Sequence, residues 1–367
     1  MTGNLSAYDK ISHFIIQDIM TADSRLIKPT IQAQLVEELL EGAKSKGVDV
    51  RLLLEMAAVS PDFLHNLKTR ISIQIYYRIL SAIREYLQDE MLGFLEHKIP
   101  TRAFPVFCQA ATGYPNYESL IGFANDFYGL LTDEFRWELT TDQKRRLSTL
   151  SVGFKKDVAQ YKKFIIEFLM VTTYRAGSWL IGAPYPIQSV HFTFSKPEIV
   201  EKYQYLFNNQ IFFEADRNKI IFDSGVLSQP VIRSQQDVTT FLRSSAGWFL
   251  LNPDTHPYTR LVRQKLLTKD LTNGFPNFDE LARALNISHQ HLWRKLNYEG
   301  TSYRQIKNQL RRDLAIHFLM NTQLNINEIA YRVGYAAERP FYRMFTQWTG
   351  ISPGEYRRIF QMQTTQK

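Results

Sequence analysis

Two short clusters near the C-terminus have residue types and spacing suited to recognising the edges of planar rings. Gln290, Trp293 and Arg294 fall at i, i+3 and i+4, so on a helix they share one face. Arg339, Tyr342 and Arg343 repeat that spacing, with Glu338 just before them. An arginine fork suits O6 and N7 of guanine, and a glutamine amide suits N6 and N7 of adenine. Glu338 can accept from cytosine but repels phosphate. Between the clusters, Arg304, Lys307, Arg311 and Arg312 are spaced as cations on one helix. Cations so placed meet phosphates, which position a protein without specifying a sequence. For Arg311 a structural alternative stands beside this one, a pairing with a neighbouring acid. For Trp293 and Tyr342 the alternative is packing along the helix. His289 and His291 invite a metal reading, but two residues apart on a helix they point to nearly opposite sides.

The elements that must carry these clusters are helices with clear start and stop signals. Asn325 and Glu328 form a cap pair, and Ile326, Ile329, Ala330 and Val333 follow at helical spacing. Gly334 supplies the open backbone that ends a helix. A second helix carries Phe341, Met344 and Phe345 on its inner face. The same pattern occurs earlier, with Asn277 and Glu280 as cap pair and Phe278, Leu281, Ala282 and Leu285 as the stripe. Asn286 stands for Gly334, since asparagine tolerates a left-handed backbone best after glycine. Ser288 caps the next helix, with Leu292 and Leu296 facing inward. Each copy closes alike, on Gly300-Thr301-Ser302 and on Gly350-Ile351-Ser352, and Ile306, Leu310, Leu314 and Phe318 mark a connecting helix. This is tandem helix-turn-helix grammar, in which the second helix of each motif enters a major groove. Pro340 complicates the second copy. Started near Ala336 by analogy with Ser288, the recognition helix would hold a proline about four residues in. A later start, near Glu338 or Arg339, puts Pro340 in the first turn, where it is tolerated.

At this point the sequence resembles the DNA-binding domain of the AraC/XylS transcription regulators. The residues that carry the resemblance are Leu281-Ala282, Ser288, Leu292, Arg311 with Ala315, Ile329-Ala330, Gly334-Tyr335, Phe341, Arg343, Phe345, Thr349 to Pro353 and Tyr356-Arg357, within roughly residues 257–360. The resemblance implies a transcription factor whose two recognition helices enter successive major grooves. It also implies RNA polymerase and a second copy of the chain as further partners.

Charge agrees with this. From Thr255 to Lys367 the chain has 17 Lys+Arg against 8 Asp+Glu, a net of +9; the rest of the 44 basic and 36 acidic residues divide 27 against 28, a net of −1. The excess positive charge coincides with the tandem motif, as a phosphate-binding footprint requires. One cysteine, Cys108, excludes an intrachain disulfide, and its neighbours Phe107 and Ala110 make it a core residue. No basic leader with an apolar run and no membrane-length apolar stretch occurs, which points to the cytoplasm. No GxGxxG, P-loop, GxSxG or HExxH is present, so an enzyme reading has no constellation to rest on, and no cofactor is expected.

The front of the chain reads as α+β. Helical spacing runs through Ile31, Leu35, Leu39 and Leu40, through Arg51 to Ala58, from Ile71 to Leu87, from Asn116 to Leu131 and from Tyr161 to Leu180. Pro197 to Leu206 reads as a helix as well. Phe135, Trp137 and Leu139 alternate with polar residues, with Leu147 to Phe154 as partner strand. Val190, Phe192 and Phe194 alternate likewise, and Ile211 to Phe213 with Lys219 to Phe222 read as a hairpin on Asp216-Arg217-Asn218. The order of these elements, with the spacing from Leu296 to Ser302, is similar to an AraC subgroup whose N-terminal effector domain is called arabinose-binding-like. That resemblance covers roughly residues 30–235.

The expected organisation is a leader at 1–28, an α+β effector-binding or dimerisation domain at 29–250, a linker at 251–257, an all-α domain with two helix-turn-helix motifs at 258–361, and a tail at 362–367. The implied effector is a small molecule. Arg175 and Trp179, at i and i+4 on a mostly apolar helix, suit an organic acid, with Tyr174 and His191 as further candidates. A buried Arg175 paired with an internal acid is the structural alternative. The rival readings are an effector-independent DNA-binding protein whose front domain only dimerises, and a front enzyme fused to a DNA reader.

Overall fold

The computed structural model describes residues 30–65, 69–155, 163–182, 185–197, 203, 207, 210–244, 257–267, 275–299 and 301–361. The leader, most of the linker, the tail and most of Pro197–Leu206 lie outside these residues.

The described chain opens on strand β1 (Thr30–Gln32) and helix α1 (Gln34–Ser45). Helix α2 (Val50–Met56) starts at Asp49, whose carboxylate accepts the Arg51 N–H at 2.9 Å. A 3-10 turn at Pro61–His65 leads to β2 (Arg70–Ser72) and α3 (Ile73–Leu87). Ile31 and Ile71 therefore do not extend the helical stripes that follow them. They face each other across an antiparallel pair, Thr30↔Ser72 to Gln32↔Arg70. Cross-strand bonds satisfy their backbone groups, so each helix begins only where that pairing stops. Ile75, Ile79, Ile83 and Leu87 line the buried face of α3 as their spacing predicts.

Helices α4 (Ala103–Ala111) and α5 (Tyr117–Gly129) precede a hairpin of β3 (Phe135–Asp142) and β4 (Leu147–Phe154). Asn116 and Ser119 form a reciprocal cap at the start of α5. Then come α6 (Lys163–Leu180), β5 (Ile187–His191), β6 (Gln210–Phe212), β7 (Asn218–Asp223) and α7 (Gln235–Ser244). The sheet order is β3-β4-β7-β5-β6. The hairpin expected between β6 and β7 does not form: β7 pairs antiparallel with β4 and β5, and β6 runs parallel to β5 on its far side. A strand has two edges, and both edges of β7 are taken. The strand expected through Ser195 begins earlier and ends at His191, yet Val190 and Phe192 are fully buried as the alternation predicts. One core joins the inward faces of this sheet to α4, α5 and α6, and Cys108 is buried within it.

The remaining helices are α8 (Pro257–Leu267), α9 (Phe278–Ala284), α10 (His289–Tyr298), α11 (Tyr303–Asn321), α12 (Ile326–Arg332), α13 (Glu338–Thr349) and α14 (Pro353–Gln361). By compactness the chain forms two units that interleave in sequence. The described residues of one lie within 41–47 and 84–255; those of the other lie within 22–40, 48–83 and 256–367. So β1, β2 and most of α3 belong with α8 to α14. Thr30 donates to the buried Asp313 carboxylate on α11 at 2.9 Å, and the Tyr356 hydroxyl on α14 donates to the Arg70 carbonyl at 2.7 Å. No described helix is long and apolar enough to cross a membrane.

Candidate nucleic-acid interface

Local rules build each motif. Asn277 with Glu280 and Asn325 with Glu328 each close a reciprocal cap, the side chain of one residue bonded to the backbone N–H of the other. Both first helices end in a left-handed residue, Asn286 at φ 55° and Gly334 at φ 83°. The closing bonds match too, with Ile287 N–H on the Ala282 carbonyl at 3.0 Å and Tyr335 N–H on Ala330 at 2.9 Å. Leu281, Ala282, Leu292 and Leu296 are buried in the first motif, and Ile329, Ala330, Val333, Phe341 and Phe345 in the second.

The turns then differ by one residue. Ile287 and Ser288 separate Asn286 from α10, whereas Tyr335, Ala336 and Ala337 separate Gly334 from α13. The late start expected for the second recognition helix is therefore observed: α13 begins at Glu338, and Pro340 is its third residue. Ser288 caps α10 through its hydroxyl, but Ala337 has no side chain to do so. An acid at the first position suits the positive end of the helix dipole.

Aligning the buried pair Leu292 and Leu296 with Phe341 and Phe345 sets the two recognition helices in register. Gln290, Trp293 and Arg294 then correspond to Arg339, Tyr342 and Arg343. Tyr342 is half-buried; the other five are exposed, Trp293 by 59%. These are the side chains singled out for base edges, and the fold presents them at equivalent positions on both helices. His289 Nδ1 lies 2.5 Å from the Asp279 carboxylate, which ties the start of α10 to α9. Behind α10, the buried Glu299 accepts the Tyr258 and Thr259 N–H groups, each at 2.8 Å, and so holds the first turn of α8.

The cations of α11 divide by depth. Arg304 is exposed, and Lys307 lies over the Tyr303 ring at 5.3 Å, where burial lowers its pKa. Arg312 turns toward Asp313 at 3.4 Å. Arg311 meets a carbonyl and two rings rather than the neighbouring acid of its structural alternative. Its Nη2 donates to Gly334 O at 3.1 Å, and its guanidinium lies over Phe275 and Tyr335.

In the sheet-bearing unit, Tyr174, Arg175 and Trp179 lie on α6 and His191 ends β5. Tyr174 is buried with its ring edge-on to Tyr185 at 4.9 Å, and burial pushes its hydroxyl up to about 12. Arg175 is buried. Trp179 stacks on Phe241 at 4.1 Å beneath the Arg233 guanidinium. His191 stacks on Phe212 at 4.7 Å and bonds Ser189 at 3.0 Å, and burial lowers its pKa. Asp313, Glu299 and Phe275 escaped the sequence reading. The one signal available for the acids was their isolation within a basic segment.

Two helix-turn-helix motifs on one connecting helix, in a chain that also folds an α+β unit, define a DNA-binding regulator with two reading heads. The chain belongs to the AraC family of transcription regulators. The arabinose-binding domain of AraC transcription regulators, N-terminal, matches residues 47–231, half of the chain, and a helix-turn-helix domain matches 281–359. The protein accordingly couples an effector-binding type of domain to a helix-turn-helix DNA-binding domain. It is similar to the ornithine utilization regulator of Pseudomonas aeruginosa, 27% identical over 324 residues, which is 88% of this chain and 94% of that one. VqsM of the same organism, an HTH-type transcriptional regulator, is 31% identical over 98 residues, covering 27% of this chain and 30% of that one. Among solved structures, the transcriptional regulator CdpR from Pseudomonas aeruginosa aligns over 84% of this chain and 96% of its own, at 16% identity and a TM-score of 0.30.

Proposed function

We propose that α10 and α13 each enter a major groove, and that Gln290, Trp293 and Arg294 on one and Tyr342 and Arg343 on the other read base edges. The observation that carries this reading is the shared register: side chains of the same three positions, all exposed but the half-buried Tyr342, stand on both helices over equivalent buried pairs. Arg339, at the second position of a helix that starts late, lies nearer the backbone and contacts phosphate, as does Arg304. A small-molecule effector held by the sheet-bearing unit controls this DNA binding, with Tyr174, Arg175, Trp179 and His191 as candidate contacts. The arabinose-binding-type match over residues 47–231 supports that role.

The test uses the full chain and an operator selected from a randomised duplex library. Affinity should fall by orders of magnitude between about 50 and 200 mM salt. Arg343→Ala should relax preference at one or two base pairs, at a cost of about 1–3 kcal/mol. Arg339→Ala should weaken all sequences alike and reduce the salt slope by about one. If Arg339→Ala changes preference at a defined base while Arg343→Ala acts uniformly, the assignment of readers is wrong. A matching effector should raise the melting temperature in a concentration-dependent way.

A further inference from the structure

The two helix-turn-helix motifs meet at one side chain. Arg311 lies midway along α11, the helix that connects them. Its guanidinium stands 5.2 Å from the Phe275 ring centre and 5.1 Å from that of Tyr335. Phe275 leads into α9 and packs on the core of the first motif. Tyr335 belongs to the turn of the second motif and packs on Phe341 at 5.7 Å and Trp348 at 6.4 Å, both on α13. Arg311 Nη2 also donates to the Gly334 carbonyl at 3.1 Å, at the negative end of α12. The Gly334 turn approaches the group to ordinary contact distance. A Cβ on Gly334 would stand 3.4 Å from Nη2 and 3.5 Å from the Phe275 ring, and Nε is buried without a hydrogen-bond partner.

We infer that Arg311 is a positioning residue that fixes the separation and angle of α10 and α13, and with them the spacing the protein accepts between its two half-sites. The inference rests on the proposed reading that both helices enter major grooves. A planar cation between two rings, bonded to a third group in its plane, resists both sliding and rotation of one motif against the other. Lysine keeps the charge but has no plane to stack and no fork to aim. One inserted base pair moves a half-site on the order of 3.4 Å and turns it on the order of 35° around the axis. A rigid pair of recognition helices cannot follow that displacement, and a hinged pair can.

The experiment compares the full chain with Arg311→Met, Arg311→Lys and Phe275→Leu on a selected operator and on versions with one base pair added or removed between half-sites. The wild type should lose about tenfold or more on either change of spacing, as for a lost base-pair contact. Arg311→Met and Arg311→Lys should lose less than about threefold, with the salt slope of Arg311→Met unchanged. A retained wild-type spacing preference in Arg311→Met overturns the inference. So does a salt slope smaller by about one, which marks a phosphate contact instead. Phe275→Leu keeps the arginine and removes one ring, so it tests the same idea should Arg311→Met fail to fold. It must relax spacing in the same direction, or the sandwich does not set it. A wild type with no salt-dependent operator binding refutes the underlying DNA reading rather than the role of Arg311.

Discussion

Asp313→Ala should destabilise the helix-turn-helix unit severely although Asp313 is buried on α11 and lies on neither reading helix. Its carboxylate, on a residue only 2% exposed, accepts Thr30 Oγ1 at 2.9 Å and Arg263 Nη2 at 3.0 Å, with Arg312 at 3.4 Å. Alanine leaves two guanidiniums facing a space with no counter-charge. Removing one member of a buried ion pair costs about 3–5 kcal/mol. The side chains of Arg263 and Arg312 keep 22% and 17% of their exposure, so water screens part of that penalty and the lower figure, about 3 kcal/mol, applies. In a unit of this size each kcal/mol shifts the midpoint by about 2–4 °C, giving a fall of roughly 6–12 °C. Scanning calorimetry of the full chain measures it, read on the transition that carries this unit. Thr30→Val serves as the graded control, removing one hydroxyl donor for about 1 kcal/mol. A fall of less than about 2 °C in Asp313→Ala would refute the reasoning, since the two arginines would then be satisfied without their carboxylate.

Two further changes test other parts of the fold. Burial raises the pKa of Glu90 from the ordinary 4.5 to about 8, against the opposing pull of the Phe104 N–H and Arg84. The folded state then holds a proton that the unfolded chain releases, so this contribution is complete below pH 4.5 and is lost as pH rises toward 8. Glu90→Gln should flatten that slope, with chemical denaturation showing little change near pH 4.5 and a relative gain near pH 8; an unchanged slope would exclude Glu90 as its source. Gly334→Ala places a side chain at φ 83°, beside the Arg311 guanidinium. It should cost about 1–2 kcal/mol from the left-handed backbone alone. Denaturant midpoints would check this, and a neutral result would mean that the turn relaxes.

The tandem motif was legible because its signals are local. Asn325 and Glu328, or Asn277 and Glu280, bond across three residues, so type and spacing suffice to place them. Pro340 could be read the same way, because a missing N–H excludes it from the helix interior whatever surrounds it, and α13 starts where that rule requires. Apolar alternation likewise placed β3 against β4. What the sequence could not decide was which distant surfaces meet. β6 and β7 look like a hairpin because they are neighbours in sequence, but both edges of β7 are used by β4 and β5. Thr30 finds Asp313 across 283 residues, and Tyr356 finds Arg70 across 286. No periodicity records such a pairing, since either partner satisfies its local rules without the other. Arg311 is the plainest case. Its spacing on α11 suits a phosphate contact or a nearby acid equally well, and only the packing of two motifs around it puts the guanidinium between Phe275 and Tyr335. Side-chain type and helix register are properties of a few consecutive residues, whereas the partner of a long, charged side chain is settled by whatever the rest of the chain brings within its reach.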